Sequence, residues 1–136
     1  MIGIVIEDIK NFDLDRLNQE TKNDCVIFTD CVLPPKEYKN LAFFTTSLAY
    51  DFNGPLVSTC ILSSLSILDM PLCARKFFLA PTFLWTQENL PYRTISHIYN
   101  NDNLEILATN REQAEVIETF FKPASLVNSV LDIKEK

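Results

Sequence analysis

Glycine is almost missing from this chain: Gly3 and Gly54 are the only two among 136 residues. A dinucleotide pyrophosphate is held by backbone that comes close on glycine, so the G-x-G-x-x-G fingerprint of NAD and FAD sites is excluded, and a P-loop with it. Histidine is scarcer still, with His97 alone. Cys25, Cys31, Cys60 and Cys73 form no C-x-x-C pair, and each sits in or beside an apolar run. That leaves too few ligands for zinc and reads as free thiols in a reducing compartment. No metal and no cofactor is expected. Uninterrupted apolar runs are short as well: residues 56–70 are broken by serines and fall below the ~20 residues a bilayer requires. Residues 1–6 lack a basic flank and lead at once into Glu7 and Asp8, so they do not read as a secretory signal. A cytoplasmic protein without a membrane partner is the expectation. Positive charge is also in deficit, twelve Lys and Arg against eighteen Asp and Glu, for a net charge of -6. Such a balance repels phosphate backbones, and nucleic acid is not an expected partner.

What is present is the composition of one globular domain, 47% apolar and 22% charged, long enough to bury roughly two thirds of its unfolded surface. Residues 1–133 are assigned to that domain and 134–136 to a loose tail. The strongest pattern is LEILATNREQAEVIETFF at 104–121. Leu104, Ile106 and Ala108 alternate with Glu105 and Leu107, Thr109 and Asn110 can cap a helix, and Ala114, Ile117 and Phe121 fall on one helical stripe. A strand feeding an amphipathic helix is the unit of a parallel sheet. Further strands are read at 2–6, 25–29, 41–45, 77–80 and 125–131, with helices at 13–21, 55–68 and 94–100. Pro34 and Pro35 mark a surface connection, 47–53 an irregular loop and 82–92 an aromatic loop. The expected fold is α/β: a three-layer Rossmann-like sandwich around a mostly parallel sheet of about six strands.

Ligands of such sheets bind outside the carboxyl ends of the strands, which directs attention to the loops that follow them. Glu7 and Asp8 follow the first strand and Thr29 and Asp30 the second; Asp8 and Asp30 suit a base or a hydroxyl-binding acid. Asp51, Asn53 and Gly54, read as opening a helix, could offer backbone N–H groups to an anion or simply cap it. Thr109, Asn110 and Arg111 follow the strand at 104–108. His97 has no acid at a useful spacing and reads as structural or exposed. Ser47 and Ser58 lack a G-x-S-x-G elbow. Trp85 and Tyr92 suit stacking or packing equally.

Taken in series, 24–30 (DCVIFTD), 51–59 (DFNGPLVST), 75–78 (RKFF) with Leu84 and Trp85, and 104–114 resemble the N-terminal Rossmann-like half of GT-B glycosyltransferases. The likeness is to the short versions carried by T4-like phages of marine cyanobacteria. The family pattern has acids before the tryptophan, where this chain reads Pro81, Thr82, Phe83, Leu84, Trp85. The resemblance implies a half-domain without the donor-binding half, not a complete enzyme alone. Its cleft would be lined by Asp8, Asp51, Asn53, Gly54, Thr109 and Asn110. Implied partners are a second Rossmann-type chain, a host or phage protein, or a further copy of the chain. The rival expectation is a protein-interaction factor that docks through the apolar helix 55–68 or the aromatic loop 82–92.

Overall fold

The computed structural model describes residues 1–8, 12–33, 37–80 and 90–133. Seven strands form one sheet: β1 Ile2–Val5, β2 Cys25–Phe28, β3 Ala42–Phe44, β4 Leu56–Ser58, β5 Lys76–Ala80, β6 Glu105–Ala108 and β7 Ser125–Leu126. Their spatial order is β3-β2-β1-β4-β5-β6-β7, and every pairing is parallel. β1, β2 and β4 are buried along their whole length, which is why they read as continuous apolar runs instead of alternating ones.

Among the described residues, four α-helices flank the sheet: α1 Leu14–Glu20, α2 Ile61–Leu68, α3 Tyr92–Tyr99 and α4 Arg111–Phe120. Ile61 and Ile67 of α2, Ile95, Ile98 and Tyr99 of α3 and Ile117 of α4 pack with Phe78, Ile106 and Leu56 on one face. Leu14 and Leu17 of α1, with Val130 and Ile133, cover Ile4, Ile27, Val57, Phe77 and Leu107 on the other. The expected three layers are thus observed, built on the side-chain alternation of each strand.

The largest correction concerns 55–68, read as one helix. Leu56–Ser58 is instead a central strand between β1 and β5, and the helix starts only at Ile61. A strand buried on both faces and a packed helix are both solidly apolar, so their periodicities merge when they adjoin. This strand is the seventh that the sequence did not count. Ser63 and Ser64, two of the serines that interrupt the apolar run, are wholly buried. Residues 47–53, read as irregular, contribute a 3-10 helix, Thr46–Asp51. The expected strand at 125–131 is a two-residue β7 followed by a 3-10 helix, Val130–Asp132. Pro34, Pro35, Trp85 and the tail 134–136 lie outside the described residues.

Candidate functional site

Strand order reverses between β1 and β4. The chain runs from β1 outward to β2 and β3, then crosses back to place β4 on the other flank of β1. Connections from the two strands diverge above their carboxyl ends, and the crevice so formed is the usual ligand position of an open parallel sheet. Here it is bordered by Glu7 and Asp8 after β1, Thr29 and Asp30 after β2, and Thr59 and Cys60 after β4.

These groups are largely occupied with one another. Thr59 Oγ1 donates to the Val5 carbonyl at 3.3 Å, Cys31 Sγ donates to the Glu7 carbonyl at 2.8 Å, and Asp30 Oδ1 accepts from Thr46 N at 3.0 Å. Cys60 caps α2: its Sγ accepts from Ser63 N at 3.4 Å while Ser63 Oγ accepts from Cys60 N and Thr59 N, each at 3.2 Å. Beneath this turn Ser58 Oγ and Ser64 Oγ lie 2.6 Å apart, and Ser64 Oγ donates to the Cys60 carbonyl at 2.7 Å. The turn therefore occupies the amide donors of Thr59, Cys60 and Ser63, part of the set with which a helix start would greet a phosphate, and Ser63 and Ser64 are buried. Glu7 and Asp8 add negative charge at the mouth. Negative charge at that mouth opposes a nucleotide's phosphates.

Among the described residues no three His, Cys, Asp or Glu side chains gather as a metal site. The Cys25 thiol is pushed up to about 12 by burial, with the adjoining Asp24 charge adding to it, so it is an inert core thiol. Cys25, Cys31, Cys60 and Cys73 all stand outside any disulfide.

The six residues expected in one cleft are divided between opposite edges of the sheet. Asp8, exposed, follows β1, and Thr109 and Asn110 follow β6, all at the carboxyl edge. Asn53 and Gly54 enter β4 from the amino edge: Ala74 N, just before β5, donates to the carbonyls of both, at 3.1 and 3.2 Å. A β-carbon on Gly54 would lie 2.7 Å from the Met1 carbonyl. Asp51 ends the 3-10 helix that carries the chain from β3 back toward β4. The separation follows from the strand hidden in 56–58; once it is recognised, the residues before it belong to the edge where strands begin. Asn110 has a defined structural task, its Oδ1 accepting from Gln113 N at 2.8 Å.

Two surface features escaped the sequence. An open groove of ≈ 740 Å³ runs along the outside of α3, lined by Tyr92, Arg93, Ser96, His97 and residues 100–103. The Asn-Asn-Asp-Asn run at 100–103 was its available signal. The second is a set of exposed apolar side chains within residues 32–50, the segment that contains β3: Val32, Leu33, Phe44, Leu48 and Tyr50. Comparison with family models, curated proteins and solved structures gives no match for this chain. Common ground with the GT-B half-domain is the generic parallel Rossmann-like fold.

Proposed function

We propose that the chain acts as a binding module that docks a protein partner through the β3 margin of its sheet. The observation that carries this reading is the crowding of large exposed apolar side chains into residues 32–50. Val32 is 93% exposed, and Phe44, Leu48 and Tyr50 are each more than 40% exposed. Single exposed hydrophobics are ordinary on a surface, whereas a gathered set marks an interaction surface. β3 is also an edge strand with one flank unpaired by the sheet, and its Ala42, Phe43 and Phe44 include no charge or proline to deter a further strand. The helix expected to dock turns inward: Ile61 and Ile67 are buried and Leu62 alone among its large apolar side chains is exposed. Of the aromatic loop, only Leu90, Pro91 and Tyr92 lie within the described residues.

The test is affinity capture of the full chain from its native context, with and without Phe44→Ser, Leu48→Ser and Tyr50→Ser together, and cross-linking to place the contact. Loss of the captured protein from the triple variant, with its fold intact by circular dichroism, is the expected result. A partner retained in full by that variant would overturn the reading.

A second proposal keeps the domain as the acceptor-side half of a split GT-B transferase. Support comes from the all-parallel 3-2-1-4 order, with Asp8, Thr109 and Asn110 at the carboxyl edge. Recovery of a second Rossmann-type chain in the same capture, and sugar transfer by the pair that Asp8→Ala abolishes, would favour it; an inert pair would sink it.

A further inference from the structure

The outer face of α3 carries chemistry that the β3 surface does not use. Arg93, Ser96, His97 and Asn100 recur at i, i+3, i+4 and i+7 and share one face, while Ile95, Ile98 and Tyr99 go to the core. With residues 101–103 that stripe lines the open groove of ≈ 740 Å³. Its lining includes no aliphatic side chain.

One end of the groove is held firmly. Asn101 Oδ1 accepts from Asn103 N at 2.9 Å, Leu104 N donates to the Asn101 carbonyl at 3.2 Å, and Asn100 Nδ2 donates to Ser96 Oγ at 3.0 Å. Lys122 Nζ reaches in from beyond α4 to the carbonyls of Asn101 and Leu104. A wall built in advance loses little freedom when a ligand arrives. Its charges are of opposite sign at the two ends: the Arg93 guanidinium near the start of α3, the Asp102 carboxylate past its end. Lys122 is near enough to feel the Asp102 charge, but its ammonium is engaged by the two carbonyls. Between the ends stand asparagine amides, each both donor and acceptor, as peptide groups are. At a helix rise of about 1.5 Å per residue, Arg93 and Asn100 are roughly 10 Å apart along the axis, a span covered by about three residues of extended chain.

We propose that this groove holds a short extended peptide segment, with an acidic side chain against Arg93 and His97, a basic one against Asp102, and its peptide groups bonded by Asn100 and Asn103. The two charged positions would be roughly three to five residues apart, from the rise of extended chain. A sugar acid would satisfy Arg93 and leave Asp102 without a counter-charge, so the dipolar lining favours a peptide.

The experiment is an NMR titration of the ¹⁵N-labelled full chain with acetyl-Asp-Ala-Ala-Ala-Lys-amide and its reverse sequence. An all-alanine peptide and D-glucuronate serve as comparisons. Expected are saturating shifts of amides in residues 92–103 with at least one charged peptide, and binding at least tenfold weaker for the all-alanine peptide. Arg93→Ala and Asp102→Asn should weaken binding to a similar degree, with Arg93→Lys restoring part of it; both positions are exposed, so the fold should survive. No shifts in the groove, shifts centred elsewhere, equal binding of the neutral peptide, or glucuronate alone moving these amides would each overturn the proposal. Every variant leaves Phe44, Leu48 and Tyr50 intact, so the β3 reading is tested separately.

Discussion

Gly3 shows what a single missing side chain does in this protein. A β-carbon there would stand 2.7 Å from Leu56 Cδ2, 2.9 Å from Phe28 Cε2 and 3.0 Å from Phe52 Cε1. Leu56 is wholly buried and Phe28 nearly so, and the Phe28 and Phe52 rings already meet edge to face at 5.5 Å. The glycine makes room for both aromatic rings beside the central strand pair. Gly3→Ala should overpack this corner and lower stability by about 1–3 kcal/mol. Urea unfolding would measure it, and an unchanged midpoint would show that the three side chains yield freely. At this scale the sequence revealed composition more readily than purpose. Two glycines were enough to exclude a dinucleotide loop, yet nothing in IGIVI says that the second residue of the run exists for a neighbouring ring.

Elements were legible where two signals agreed. In 104–121 the strand alternation, the Asn110 cap and the helical stripe all point one way, and β6 and α4 lie where those signals place them. In 55–68 the signals merged, because β4 is buried on both faces and α2 follows it after only two residues. That one merger moved Asn53 and Gly54 to the wrong edge of the sheet and with them a third of the anticipated cleft. The α3 groove was illegible for a different reason: a polar stripe looks alike whether it faces bulk water or a ligand, and only the turn at 100–103 makes it concave. Asn110 is the best place to separate capping from ligand contact. Asn110→Ala should cost about 0.5–2 kcal/mol by removing an N-cap, and Asn110→Asp should recover most of it. Thermal or urea unfolding of the two variants provides the measure. Equal loss in both would mean that the cap is not what Asn110 supplies.

For the whole molecule, the response to acid follows from two carboxylates, one closing the turn before β2 and the other joining α1 to a residue far along the chain. Asp24 lies below its ordinary value chiefly because the Thr21 hydroxyl, and then the Lys22 backbone N–H, donate to it. Glu20 is lowered by the Arg16 guanidinium and by Ser129 Oγ, which reaches it at 3.0 Å from the far end of the sequence. A carboxylate lowered in the folded state adds stability above its unfolded value and loses that contribution as pH falls through the folded one. Stability should therefore hold above the ordinary values of 4.5 for Glu20 and 3.8 for Asp24 and decline steadily below them. Asp24→Asn should flatten that decline. Urea titrations from neutral pH down to about pH 3, spanning the carboxylate range, would read the slope, and an equal slope in wild type and variant would remove Asp24 from the account.

The position of β1 also sets an order of events during synthesis. It precedes the other described strands in the chain, and it pairs on both flanks, with β2 through Gly3 and Val26 and with β4 through Gly3 and Leu56. One flank can close as soon as β2 leaves the ribosome. The other remains an open template until β4 has emerged and crossed over, and in a parallel sheet no tight hairpin can hasten that closure. Until then its backbone donors and acceptors are available to any foreign strand. Until β4 arrives the half-made chain thus exposes one flank of β1 in addition to the open edge of β3, and a chaperone that shields the β1 flank guards a pairing at the heart of the finished sheet.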